Sequence, residues 1–199
     1  MPAIDRRKQV LEAAAKSFAL FGYKATTMDQ VAKIANVGKG TIYTFFTNKE
    51  ELFDEILHAV ILEMKRIVEN TLRDDRSFFD NLYSVLDALL EFRDEHSLFI
   101  KLSQEYREFG TPKANYGLTK VENVIVGYIQ GVVENAIRNG EIKPCDPQVV
   151  SFVMLKLYTV LTADFNNLRE PLQKEQIKEY MLLFLEEGLK SPAARMQSK

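Results

Sequence analysis

Apolar residues recur at three- and four-residue spacing along almost the whole chain, and strand-like alternation bounded by turn residues is missing, so the pattern predicts an all-α fold. The first helix is predicted over 5–21, with Val10, Leu11, Ala14, Phe18 and Phe21 on its inner face and Gly22 placed as a left-handed cap. A short second helix follows Thr27, where Thr27 and Gln30 have the spacing of a capping box. It buries Val31 and either Ile34 or Ala35, and Asn36, which tolerates positive φ, turns the chain. A third helix is predicted over 39–46 and a fourth from Asn48, capped with Glu51, to about residue 71.

Five longer helices are expected beyond that point, over about 78–94, 98–109, 118–138, 148–165 and 174–189. Their boundaries come from sparse punctuation: Asp74 to Ser77, Gly110-Thr111-Pro112, Asn139-Gly140, and Pro144 to Pro147 with Asp146 as N-cap and Pro147 at the first helical position. The organisation expected is a helix-turn-helix domain over 1–50, a ligand-binding and dimerisation bundle over 51–190, and a disordered tail over 191–199. The fourth helix, about 48–71, links the first two.

Charge sharpens the division. Residues 1–50 carry eight cations (6, 7, 8, 16, 24, 33, 39, 49) against four acids (5, 12, 29, 50), a net +4, whereas the remainder carries −6. A basic head on an acidic body turns the head toward phosphate. Cys145 is the one cysteine, so no internal disulfide forms. The N-terminus is polar, and no uncharged run approaches the ~20 residues of a membrane span. A cytoplasmic location is expected.

A helix-turn-helix needs a positioning helix, a sharp turn and a second helix whose exposed face enters the major groove. Phe18, Phe21, Val31, Ile42 and Phe46 supply a three-helix core, with Ile42 and Phe46 inward on the third helix and Thr41, Thr44 and Phe45 pointing elsewhere. Lys39 and Gly40 lie at that helix's N-terminus, where backbone N–H groups favour phosphate, and Lys49 is placed to clamp a second phosphate. Threonine methyls and phenylalanine pack on thymine methyls, and threonine hydroxyls reach base edges. Taken singly, each residue also has a plainer reading: Tyr43 and Phe45 as core aromatics, Lys39 and Lys49 as solvated lysines, Thr27 as a helix cap. The constellation carries the argument.

Residues 5–56 resemble the DNA-binding domain of the TetR family of bacterial transcription regulators. The likeness rests on Ala13 to Tyr23, Ala25-Thr26-Thr27, Val31 to Tyr43 and Phe46 to Phe53, and covers about a quarter of the chain. It implies a homodimer that represses transcription from a palindromic double-stranded operator and is released by a small apolar or aromatic effector. It further implies phosphate contacts by Thr27, Lys39, Thr41, Tyr43 and Lys49, and base contacts near Gly40, Thr44 and Phe45. Asn36 stands where the family often has Gly, and Gly38 where it often has Ser.

The remaining chain is rich in aromatics, which either fill a bundle core or line a ligand cavity between helices. The resemblance selects Phe92, Phe99, Tyr106, Tyr128 and Tyr158 as cavity candidates, with Gln104 and Asn123 available for polar recognition. Val149, Val150, Val153, Leu157, Val160 and Leu161 make one apolar face, and Ile177, Tyr180, Met181, Phe184 and Leu185 another. Both fit a monomer core or a dimer seam, and operator symmetry favours the seam, with Val153, Leu157, Val160, Tyr180, Met181 and Phe184 at its centre. An enzyme is not expected: His58 and His96 lack catalytic spacing, and Cys145 has no nearby histidine. No metal ligand set and no cofactor motif is present. The competing function is a protein-interaction module whose helix-turn-helix does not read DNA. The basic head argues against it, and salt dependence discriminates the two.

Overall fold

The computed structural model describes residues 5–91, 97–165 and 169–189. Nine α-helices and no strand occur among them: α1 (Arg6–Ala25), α2 (Met28–Ile34), α3 (Lys39–Tyr43), α4 (Lys49–Thr71), α5 (Phe78–Glu91), α6 (Ser97–Phe109), α7 (Pro112–Arg138), α8 (Pro147–Thr159) and α9 (Lys174–Leu189). None of these helices is long and apolar enough to cross a membrane. Phe92, the end expected for the fifth helix and the tail over 191–199 lie outside the described residues.

Local chemistry sets the ends. The Asp5 side chain accepts from the Lys8 N–H to open α1, Thr27 accepts from Gln30 to open α2, and Asn48 accepts from Glu51 at the start of α4. Asn36 takes φ 51°, while the Val37 N–H bonds Ala32 O and the Asn36 N–H bonds Lys33 O, which closes α2 with a left-handed residue. Asp146 caps α8 through Gln148 and Val149, with Pro147 first in the helix. The π-helical turn Val160–Asp164 continues α8.

Three helix boundaries need correction. Gly22 has the positive φ foreseen, 82°, but its ψ of 175° is extended, so it kinks α1 instead of ending it, and the helix resumes to Ala25. The third helix ends at Tyr43, with the Phe45 and Phe46 N–H groups both converging on Ile42 O. The seventh begins at Pro112, six residues before the position expected, because proline fits the first helical position whose N–H has no partner to lose.

The packing forms two compact units: Met1–Met64 with Arg93–Val121, and Lys65–Phe92 with Glu122–Lys199. In the first, Val10, Ala14, Phe18, Val31, Ile42, Leu52, Phe53 and Leu57 are sealed from solvent. Phe18, Tyr23 and Phe53 form an aromatic cluster with centroids 4.9–5.9 Å apart. Phe21 does not join this core; it is 43% exposed, because the stripe that begins at Val10 and continues through Ala14 and Phe18 has turned past it. Ala35, not Ile34, is the buried member of its pair. In the second unit Phe78, Leu86, Leu90, Val133, Ile142, Met154, Ile177 and Met181 are core residues. The partly exposed Asp87 accepts from Lys178 at 2.5 Å and pairs with Lys174 at 3.0 Å, and these lysines hold its carboxyl below the usual range.

Candidate nucleic-acid interface

The platform is built inward first. Ile42, fully buried, and Phe46, 2% exposed, pin the third helix to the aromatic and aliphatic core beneath it. Arg7 sits over the Phe46 ring at 5.2 Å and pairs with Glu55 at 2.7 Å, tying the start of α1 to α4. With its inward residues fixed, α3 and its C-terminal extension leave Tyr43 (47% exposed) and Phe45 (37% exposed) in solvent, although both are large and apolar. Core aromatics they are not.

The other candidates are spent differently. Thr27 is exposed and uses an oxygen lone pair on the Gln30 N–H at 3.2 Å, so its own hydroxyl proton is available outward. Thr41 is half-buried, while Gly40 and Thr44 are exposed. The Thr44 hydroxyl donates to Thr41 O at 2.6 Å, so it meets another molecule with its methyl and lone pairs. A Cβ on Gly40 would touch nothing within 4 Å, so no packing inside the protein requires glycine there. Gly38 caps α3 without a side-chain hydrogen bond, which leaves the first N–H groups of the helix uncovered.

Two lysines are engaged. Lys39 pairs with Asp29 at 2.7 Å on the open surface, and that carboxylate raises the lysine above its ordinary value. Lys49 is half-buried, donates to Tyr23 O at 2.9 Å and Thr26 O at 3.0 Å, and lies 4.3 Å from the Tyr23 ring. Two of its three donors are therefore occupied in holding the backbone before Thr27, and one is left for a phosphate. Sequence reasoning did not find Asp29 as the partner of Lys39, nor the structural duty of Lys49. The i and i+10 placement of Asp29 and Lys39 across a turn carries no periodic signal.

The effector candidates divide. Phe99 (half-buried) and Tyr106 (43% exposed) lie on α6 in the first unit, and Tyr128 and Tyr158, both half-buried, lie on α7 and α8 in the second. Burial pushes the Tyr128 hydroxyl above its ordinary value. The seam candidates divide as well. Met181 is 1% exposed and belongs to the second unit's own core, as do Leu161, Ile177 and Leu185. Leu157 is partly buried against that core. Val153, Val160, Tyr180 and Phe184 are 40–59% exposed, together with Val149, Phe152 and Leu183. The spacing of 149, 152, 153 and 160 gives one stripe on α8 and its continuation, and that of 180, 183 and 184 another on α9.

Residues 10–56 match the family described as bacterial regulatory proteins, tetR family. The chain is 51% identical over 187 residues to the HTH-type transcriptional regulator YhgD of Bacillus subtilis (strain 168), spanning 94% of this chain and 98% of that one. It is 26% identical over 140 residues to the fatty acid metabolism regulator protein of the same strain, over 68% and 70% of the two chains. In fold it is similar to the fatty acid degradation regulator FadR from Bacillus halodurans, with a TM-score of 0.74 at 14% identity, covering 92% of this chain and 97% of that one.

Proposed function

This chain belongs to the tetR family of bacterial regulatory proteins, and from that premise we infer that it is a cytoplasmic, homodimeric repressor of transcription released by a small apolar effector. That it is a helix-turn-helix transcriptional regulator and not an enzyme follows from the family itself. The observation that carries the DNA reading is α3 with the turn that follows it: Ile42 and Phe46 anchor this segment and leave Tyr43 and Phe45 in water beside Gly40, Thr44 and Lys39. Residues 1–50 act as the reading head. Thr27, Lys39, Thr41, Tyr43 and Lys49 hold phosphates, and Gly40, Thr44 and Phe45 meet bases.

A palindrome requires two heads related by a two-fold axis, with recognition helices about 34–36 Å apart or a multiple of that. The exposed stripes of α8 and α9, centred on Val153, Val160, Tyr180 and Phe184, supply an apolar surface for a second copy. Residues 51–190 serve as the effector-binding and dimerisation body, with the half-buried Tyr128 and Tyr158 of the second unit as candidate effector contacts. An acyl or other extended apolar effector is the class supported, since a relative at 26% identity is named as a fatty acid metabolism regulator. The effector releases the operator by preferring an arrangement whose head separation no longer matches successive grooves.

The test is selection of bound fragments from sheared genomic DNA at two salt concentrations, with the recovered fragments sequenced. Enrichment of one short palindrome, abolished by combining Lys39→Ala with Tyr43→Ala, is the expected result. Binding that enriches no sequence, or that is indifferent to salt, would return the helix-turn-helix to a protein-interaction role.

A further inference from the structure

We propose that Glu105 is a positioning residue for the DNA-reading head, its carboxylate seated in the kink of α1 so as to fix the backbone that leads into Thr27 and α2. This rests on the DNA-binding reading above and extends it to a residue that touches no DNA. α1 packs more extensively on α6 than on any other helix. Within α1 the helical conformation is broken at Gly22, and the Lys24 N–H beyond the break donates to both Glu105 oxygens, at 3.1 Å each. Glu105 is 5% exposed.

A buried carboxylate is costly unless it is hydrogen-bonded, and the Lys24 N–H just past the kink supplies that bond. Glu105 also occupies a packing position: Leu98, Leu102 and Glu105 are the three buried residues of α6 and follow helical spacing along one face. An aliphatic side chain would serve packing there better. The carboxylate therefore answers a geometric need.

The seat is made for it. A Cβ on residue 22 would overlap the Glu105 carboxylate and come within 3.3 Å of its Cδ, so the recess exists only because residue 22 is glycine, which the positive φ requires as well. Around the same turn, Thr26 Oγ1 donates to Gly22 O at 2.8 Å and lies 3.2 Å from Ser17 Oγ, both residues being sealed from solvent. Lys49 from α4 takes the carbonyls of Tyr23 and Thr26. The N–H of this segment is thus held from α6 and its carbonyls from α4, one residue before the cap of α2. Lys24 extends the hold by placing its ammonium 4.8 Å from the Phe109 ring, and Lys101 Cε passes beside the recess.

The experiment compares wild type, Glu105→Met, Glu105→Gln and Gly22→Ala in the full chain, using the palindromic duplex recovered by the genomic selection and amide exchange at Lys24. Glu105→Met keeps the apolar volume and removes the acceptor. It should melt at or above the wild-type temperature, yet bind the duplex about tenfold more weakly with a faster-exchanging Lys24 amide. Glu105→Gln keeps an oxygen on the same N–H and should recover most of the affinity. Gly22→Ala should bind as poorly as Glu105→Met. Wild-type affinity in Glu105→Met, with Lys24 deprotected, would show that the contact forms without posing the head, and would overturn the proposal. A wild-type protein that enriches no duplex would remove the DNA-reading role and the proposal with it, a failure visible before any substitution is made.

Discussion

Large apolar side chains stand in solvent in both units, and the two exposures differ in kind. In the first unit Tyr43 and Phe45 are flanked by Gly40, Thr41, Thr44 and Lys39, so each apolar surface adjoins a hydroxyl, a cation or bare backbone. In the second, Val149, Phe152, Val153 and Val160 on one stripe and Tyr180, Leu183 and Phe184 on the other carry little besides hydrocarbon and one phenol. Lys156 between them is turned to Glu122 at 2.6 Å and over the Phe152 ring at 5.1 Å. A surface interleaved with polar groups suits a polyanion with methyl groups in its groove. A surface without them suits another protein face of the same character. Exposure alone distinguishes nothing; the neighbours of each exposed side chain do.

The sharpest way to break this comparison is to charge the second surface. Val153→Glu with Phe184→Glu should turn a dimer into a monomer in sedimentation velocity and lower affinity for the palindrome by roughly 10²–10⁴-fold, since each head then binds without its tethered twin. A double variant that still sediments as a dimer would place the seam elsewhere. Met181→Ala sharpens the same contrast from beneath. Met181 lies three residues before Phe184 on the same helix, yet it is buried, and its truncation should cost about 2–5 kcal/mol in denaturant unfolding. Phe184→Ala should cost the folded monomer well under ~1 kcal/mol.

On the first surface the expected effects are smaller and leave dimerisation untouched. Phe45→Ala should cost about 1–3 kcal/mol of discrimination against the wrong base, read as affinity for the palindrome relative to single-base variants. Lys39→Ala should weaken all sequences alike and reduce the slope of log affinity against log salt by about 0.9. An unchanged slope would mean that Asp29, 2.7 Å away, keeps Lys39 from phosphate even on DNA.

How far these surfaces were legible in the sequence differs between the units for a physical reason. In the head, function and fold leave local marks: Thr27 three residues before Gln30, Asn36 in the turn with its φ of 51°, Asn48 three before Glu51, and Ile42 and Phe46 four apart and inward. Each involves residues a few positions apart, so each can be read from spacing. On α8 and α9 the apolar positions circle much of the helix, and spacing cannot say which side meets the chain's own core. Met181 and Phe184 looked equivalent until packing separated them. Glu105 is an intermediate case. A carboxylate in register with Leu98 and Leu102 is a visible anomaly, but its partner, the Lys24 N–H, is 81 residues away, just past the break at Gly22.

The smallest effect concerns acid, and it tests whether the polar contacts of the head have a measurable counterpart in stability. The Tyr23 hydroxyl donates to Glu50 Oε1 at 2.6 Å. Accepting that bond lowers the Glu50 carboxyl below its ordinary value, while burial and the same carboxylate raise the Tyr23 phenol above its own. Between the lowered folded value and the ordinary unfolded value the unfolded chain binds more protons, so stability rises with pH across that window. The contribution is complete above the ordinary carboxylate range and disappears as pH falls through the lowered value. Because Glu50 is largely exposed, solvent screening keeps it under ~1 kcal/mol. Tyr23→Phe should therefore be slightly less stable than wild type near neutrality, and the gap should close in acid. In the second unit Asp87→Asn should lose an acid-sensitive contribution of the same sign, since Lys178 and Lys174 lower that carboxyl. A gap for Tyr23→Phe that stays constant from neutrality into acid would assign the effect of the hydroxyl to packing around Phe18 and Phe53, and not to its bond with Glu50.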